Sequence, residues 1–311
     1  MTVAGRVIAC AVVVAAVVAA AALVLSLAFR GHGVNPPAAA GREAAGLGGT
    51  SPASAAPSGP PARAGHADPL SGAAASYAAG RSGRVLAAVY DVRTGQSWDL
   101  GDGPPQAEAS VVKLDILETL LAQQAGTALS AGDQSLSQSM IEDSDNDAAT
   151  SLWDEAGGAA GISAYNDSAG LNGTVPSACV TCAGFAWPGW GLTTTLPQDQ
   201  LSLLKQLVAP GSRPLLSAPQ RAYALSLMEN VSPDQRWGIS GGVPAGVTVA
   251  LKNGWLPLDA ANTDWQINSV GWVSGDGRDY LIAVLTTGNP TEQYGIDTVS
   301  ALSSRVWTAM G

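Results

Sequence analysis

The pattern of apolar and polar positions divides the chain into three stretches. Val7 to Phe29 is uninterrupted apolar sequence between Arg6 and Arg30. A run of roughly 20 apolar residues is enough to span a bilayer as a helix. It is longer than the apolar core of an ordinary secretory leader, and no clear small-x-small cleavage site precedes a polar start. Residues 1–30 therefore read as an uncleaved signal anchor, with a cleaved leader as the alternative. Residues 31–72 are rich in Ala, Gly, Pro and Ser and show no hydrophobic period. Such sequence cannot bury enough surface to fold, and reads as a disordered tether. Periodic patterning starts near Ala73, which makes residues 73–311 the globular domain.

Within that domain Arg84 to Val92 reads as a strand, Arg93-Thr94-Gly95 as a turn and Gln96 to Leu100 as a second strand, a hairpin. Ser110 to about Ala125 follows as a helix, with Val112, Ile116, Leu117 and Leu120 on its apolar positions and Gly126 at its end. Further helical patterns cover Gln134 to Asp143 and Asp147 to Glu155, the latter stopped by Gly157-Gly158. A segment from Ile162 to Ser168, a loop through Trp190, and helices over Pro197 to Val208 and Pro219 to Met228 come next. Thr248 to Lys252, Trp265 to Val273 and Tyr280 to Thr287 read as strands, and Gly295 to Met310 as a closing helix. Two strands, a block of helices, three strands and a helix predict an α/β (α+β) fold. Its antiparallel sheet comes from both chain ends, with a helical subdomain inserted after the first hairpin. The junction of two such halves is a usual place for an active-site cleft.

Composition narrows the chemistry. The net charge is −10 and only 13% of residues are charged, so the basic clusters that a nucleic-acid surface needs are missing. Lys and Arg are also too scattered for a polybasic membrane patch. The chain has two histidines, His32 and His66, both in the tether. A Ser-His-Asp site in the folded domain is thereby excluded, and serine chemistry there needs another base. Cys10 lies inside the apolar stretch; Cys179 and Cys182 are the other two cysteines. Without a histidine beside them they do not make a zinc site, and no metal or other cofactor is expected. A short-range disulfide, a redox pair and two free thiols remain open for them.

The candidate base is a lysine. Ser110 stands just before an apolar periodic run with Lys113 three residues on, which places both on one face of a helix, one turn apart. An uncharged Lys113 amine can take the Ser110 hydroxyl proton. Alone, Ser-x-x-Lys is more often a helix cap and a solvated lysine. The chain, however, has only three lysines, Lys113, Lys205 and Lys252. Ser144-Asp145-Asn146 follows an acidic helix end, a turn or cap signal by itself. Alternation along Thr248 to Lys252 sets Lys252 on the face opposite Val249 and Leu251, and Asn253-Gly254 follows it.

Ser-x-x-Lys, Ser-Asp-Asn and Lys-x-Gly, in this order, resemble the signature of penicillin-recognising serine enzymes. The resemblance runs roughly from Arg84 to Met310 and is nearest to a class A β-lactamase-type domain, with the β-lactamase/transpeptidase-like fold. It implies Ser110 as the acylated nucleophile, Lys113 as its base and Ser144 as a proton relay to the leaving group. Lys252 would keep the pocket positive, and the backbone N–H groups of Ser110 and Trp255 would form an oxyanion hole. Asn146, Asn253, Gly254, Trp255 and Arg236 are the candidate substrate-binding residues. Three departures from the family pattern matter. The Ser110 to Ser144 gap is short, which trims one pocket wall. Asn253 replaces a Thr or Ser whose hydroxyl meets a substrate carboxylate, and Arg236 is the candidate replacement. The Glu-x-x-Leu-Asn of the loop before Thr193 is missing: the only Glu between Asn146 and Thr193 is Glu155, on a helix.

The expected function is an extracytoplasmic serine hydrolase acting on β-lactams or related amides and esters, with slow deacylation. The alternatives are a D-alanyl-D-alanine peptidase-type cell-wall enzyme and a non-catalytic cell-envelope binding domain. The expected partners are a small-molecule substrate and a membrane, reached through the single N-terminal span. A monomer that binds no nucleic acid is expected, or, if the leader is cleaved, a secreted one.

Overall fold

The computed structural model describes residues 66–311. The Val7 to Phe29 stretch and the expected tether up to residue 65 lie outside the described residues. Among those described, no helix is long and apolar enough to cross a membrane. The packed chain begins ahead of the expected boundary at Ala73. Leu70 is 2% exposed and belongs to the core, and a turn in which its N–H donates to Asp68 Oδ1 at 2.8 Å holds it there.

Helix α1 (Ala73–Ala79) leads into strands β1 (Arg84–Asp91) and β2 (Ser97–Leu100). Near the C-terminus come β5 (Thr248–Pro257), β6 (Trp265–Gly275), β7 (Arg278–Asn289) and helix α8 (Glu292–Ala309). The short strands β3 (Gln106–Ala107) and β4 (Thr194–Thr195) pair with each other apart from the main sheet. That sheet has five strands in the order β2-β1-β7-β6-β5. β1 pairs antiparallel with β7 from Arg84↔Thr287 to Asp91↔Tyr280, so both chain ends build it, as the element order predicts.

The sheet is covered on both faces, which is why its strands read as continuous apolar runs. Val85, Ala87 and Val89 pack with Val299, Leu302 and Val306 of α8. Ala88 between them packs toward the helical block. That block holds α2 (Val112–Gln123), α3 (Ala131–Glu142), α4 (Asn146–Glu155), α5 (Gly158–Ala169), α6 (Pro197–Val208) and α7 (Ala218–Glu229). Helix α2 is its axis: every residue from Val112 to Leu121 is buried, including Lys113, Asp115 and Glu118.

Two local readings change. Gly157 and Gly158 (φ 93° and 61°) stop α4 but also open α5, which starts at Gly158 and not at Ile162. The β5–β6 hairpin is longer than its pattern, because Lys252-Asn253-Gly254 does not end the strand. The β5–β6 ladder continues to Pro257↔Trp265. Gly254 marks a close backbone approach, not a turn: a Cβ there would stand 2.5 Å from the Glu108 carbonyl oxygen and 2.9 Å from the Ser110 nitrogen.

Candidate active site

Ser110 lies in a single 3₁₀ turn, Ala109–Val111, that runs straight into α2. The residue before it, Ala109, is held at φ 53°, a left-handed conformation that non-glycine residues seldom adopt. Asn268 of β6 fastens this turn from behind. Its Nδ2 donates to the carbonyls of Ala107 at 2.8 Å and Glu108 at 3.0 Å. Its Oδ1 accepts from Gln266 Nε2 at 2.8 Å and from the Thr286 N–H at 3.2 Å. Gln266 and Asn268 escaped the sequence reading. Their signal was a pair of amide side chains at alternate positions of one strand, Trp265–Gly275.

The second arm is Ser144-Asp145-Asn146. Ser144 sits at φ 57° between α3 and α4. Asp145 caps α4, accepting from the Ala148 N–H at 2.7 Å. This cap turns Ser144 and Asn146 toward Lys113, whose Nζ donates to the Ser144 carbonyl, to Ser144 Oγ at 3.0 Å and to Asn146 Oδ1 at 2.8 Å. Lys252 arrives from β5, its Nζ donating to Ser144 Oγ at 3.0 Å and to its neighbour's carbonyl, Asn253, at 3.2 Å. Both lysines are wholly buried. Among the described residues neither has a carboxylate within ion-pair distance. Burial first, and the nearby Lys252 charge second, lower Lys113 to about 6, with Asp145 pulling the other way. Burial lowers Lys252 to about 7. Near neutral pH Lys113 is therefore largely a free amine and can act as a base. The third lysine, Lys205, lies elsewhere, its ammonium 3.9 Å from the Tyr90 ring centre.

Ser110, Ser144 and Asn146 open into one pocket, whose other walls include Trp187, Trp190 and Trp255. Trp190 was not anticipated. Its indole N–H donates to Thr150 Oγ1 at 3.0 Å, and its ring centre lies 5.1 Å from Lys113 Nζ. This loop thus presents an indole to Lys113, and none of the pocket-lining residues is acidic. The cysteines of the same loop form a disulfide, Cys179–Cys182. Gly189, between the two tryptophans, packs directly on it: a Cβ would collide with the Cys179 carbonyl and Cys182 Sγ. A separate apolar hollow lined by Leu121, Gly126, Pro219 and Tyr223 holds none of these groups.

Two expected binding residues do not reach the pocket. Asn253 is 1% exposed and donates to the carbonyls of Gln235 at 2.7 Å and Trp237 at 3.2 Å. Strand alternation carries its side chain to the face opposite Lys252. The Arg236 guanidinium donates to the carbonyls of Glu229 at 2.6 Å and Val249 at 3.4 Å, which ties it to the beginning of β5, not to the end near Ser110. Gly254 and Trp255 do lie at the site, Gly254 against the Ser110 turn and Trp255 in the pocket wall.

A family model described as the beta-lactamase enzyme family matches residues 118–310, more than half of the chain. The chain belongs to that family. The matched region takes in Ser144, Asn146, Lys252 and Gly254 and begins after Ser110 and Lys113. A protein named "Putative lipoprotein LppW" from Mycobacterium tuberculosis is 30% identical over 217 residues, 68% of this chain and 65% of that protein. The chain thus matches just under two thirds of this relative's length. A class A β-lactamase from Mycobacterium abscessus superposes with a TM-score of 0.61 at 22% identity, over 76% of this chain and 97% of that one. A β-lactamase from Chitinophaga pinensis gives 0.64 at 19% identity, over 76% and 98%. These likenesses show the β-lactamase/transpeptidase-like fold, and the resemblance to penicillin-recognising serine hydrolases holds for this β-lactamase-family chain.

Proposed function

We propose that the protein is a serine hydrolase acylated on Ser110, with Lys113 as base, acting on β-lactams or related amides and esters. The observation that carries this reading is the convergence of two buried lysines on Ser144 Oγ in the pocket that holds Ser110. Free Lys113 amine takes the Ser110 hydroxyl proton as Oγ bonds to the substrate carbonyl carbon. The resulting oxyanion is received by the N–H groups of Ser110 and Trp255. β5 is the edge strand of its sheet, so N–H groups along it are left for a ligand. Ser144 Oγ then gives its proton to the leaving nitrogen or oxygen as that bond breaks. Protonated Lys113, already bonded to Ser144 Oγ, restores it. The ledger of protons closes with acyl-Ser110 and a neutral amine.

Deacylation needs a second base, and no carboxylate faces the pocket. Trp190 occupies the wall next to Lys113 instead. We therefore assign a long-lived acyl-enzyme, with weak β-lactam resistance at most. The apolar stretch from Val7 to Phe29, the disulfide and a mycobacterial relative named as a lipoprotein support an extracytoplasmic domain held at the cell membrane through the N-terminal segment. Labelling with a fluorophosphonate tests the assignment: intact mass should rise by one adduct, mapped to Ser110 and lost in Ser110→Ala. Equal labelling of Ser110→Ala would refute it.

A further inference from the structure

The pocket around Ser110 has no place for a substrate carboxylate. None of its lining residues carries a charge. Lys113 and Lys252 are wholly buried, and their Nζ atoms already bond to Ser144, Asn146 and the Asn253 carbonyl. Asn253 points to the far face of β5, and Arg236 is held by two backbone carbonyls.

What surrounds the nucleophile instead is apolar. Trp187, Trp190, Trp255 and Leu256 share the pocket with Ser110. The apolar character continues outward. Among the described residues the exposed large hydrophobics are Val175, Val180, Trp187 and Leu258. All four fall on the two segments that build the pocket: the loop between α5 and β4, and the end of β5 with the residue just beyond it. Of the four, Trp187 lines the pocket itself, and an exposed indole in a pocket wall is a ready surface for a ligand. The wall is also stiff. Trp190 is pinned through Thr150, and the backbone between Trp187 and Trp190 is bonded to the disulfide loop by the Gly189 N–H to Val180 carbonyl contact at 2.7 Å. Flat indole walls favour flat apolar groups, by stacking or edge-on contact.

We propose that this site, read as an acyl-accepting serine as above, prefers, among the amides and esters of that reading, neutral carboxylic esters whose acyl part is apolar and preferably aromatic, and discriminates against anionic acyl donors, carboxylate-bearing β-lactams included. Ser110 Oγ bonds to the acyl carbon, the alcohol leaves with the proton passed by Ser144, and the aryl group of the acyl part rests against Trp187 and Trp190.

Three p-nitrophenyl esters of different acyl groups test this: acetate, phenylacetate and the anionic hemisuccinate. The second-order rate of p-nitrophenol release should be about tenfold higher for phenylacetate than for acetate, and lower for hemisuccinate than for acetate. Trp187→Ala should collapse the phenylacetate-to-acetate ratio severalfold, and Trp187→Phe should restore most of it. Hemisuccinate reacting as fast as phenylacetate, or an unchanged ratio in Trp187→Ala, would overturn the proposal. Binding without chemistry separates this from the assignment of Ser110. Titration calorimetry of Ser110→Ala with methyl phenylacetate and with monomethyl succinate should show binding of the former only. Selective binding together with a failure of fluorophosphonate to label Ser110 in the parent would refute the nucleophile and uphold the pocket. Labelling of Ser110 without selective binding would do the reverse.

Discussion

Lys113 and Lys252 both reach the hydroxyl of Ser144, each at 3.0 Å. One oxygen therefore accepts from two buried ammonium groups, or from one ammonium and one amine that share their protons through it. The pairing accounts for part of the low proton affinity that the proposed base role of Lys113 requires. Burial lowers it most, and the Lys252 charge lowers it further, to about 6.

The rate of Ser110 labelling by an uncharged fluorophosphonate should follow this pair. It should rise through about pH 6 as Lys113 loses its proton, and Lys113→Ala should lower it by roughly 10²–10⁴-fold. Removing the neighbouring charge in Lys252→Met lets Lys113 hold its proton to higher pH, so the rising limb should move to alkaline pH. A limb that stays in place would show that the two lysines do not interact.

Stability should depend on pH through the buried acids of α2 and the turn that leads into it. Burial raises Asp115 from 3.8 to about 7, against the opposing hydrogen bond from Asn166. Glu118 and Glu108 are also raised, again chiefly by burial. A carboxyl raised on folding stabilises the fold below its unfolded pKa, and that stability is lost as pH rises through the folded value. Between about pH 4 and 7 the fold should therefore weaken, with Asp115 contributing at most roughly 1.4 kcal/mol per pH unit. The lysines act oppositely: lowered from 10.5 to about 6 and about 7, they add stability as pH climbs from there toward 10.5, so Lys113 offsets part of the carboxyl effect above about pH 6. Denaturant midpoints for Asp115→Asn should fall less steeply from pH 4 to 7 than those of the parent. Parallel curves would count against the assignment.

Asn268 is expected to matter for both fold and rate. Asn268→Ala strands the Ala107 and Glu108 carbonyls behind the Ser110 turn. The expected loss is about 1–3 kcal/mol in denaturant midpoint, together with slower Ser110 labelling well below the melting temperature. A stability loss with unchanged labelling would make the clamp structural only.

Gly189→Ala tests the disulfide-backed wall. Its Cβ would meet the Cys179 carbonyl and Cys182 Sγ, so the loop must shift. Overpacking of this kind costs about 1–3 kcal/mol, and here the shift moves Trp187 and Trp190. A lowered melting temperature and reduced preference for the phenylacetyl ester should appear together.

Much of the site was legible in the chain because lysine is scarce in it and no histidine follows His66. Ser110 with Lys113, Ser144 with Asn146, and Lys252 stood out by type and spacing, and the structure brings them together. Alternation that placed Lys252 in the cleft also sends Asn253 away from it, so that placement was readable and was missed. Arg236 was not readable, since its reach depends on a turn with no period, Pro233–Gln235, that ends at its own backbone. Trp187 and Trp190 lie in a loop without periodicity, where nothing local distinguishes a pocket wall from a surface residue. Strand boundaries failed at Gly254 for a definite reason: glycine signals a turn in sequence but permits close approach in the sheet.

The central claim is that Ser110 is acylated quickly and released slowly. Rapid-quench intact-mass spectrometry of the protein mixed with excess p-nitrophenyl phenylacetate reads both steps at once. A burst of one p-nitrophenol per active site, one phenylacetyl group on Ser110 within the burst, and slow loss of that mass at the steady-state rate are predicted. Steady turnover with no accumulated adduct, or an adduct that forms equally on Ser110→Ala, would contradict the account.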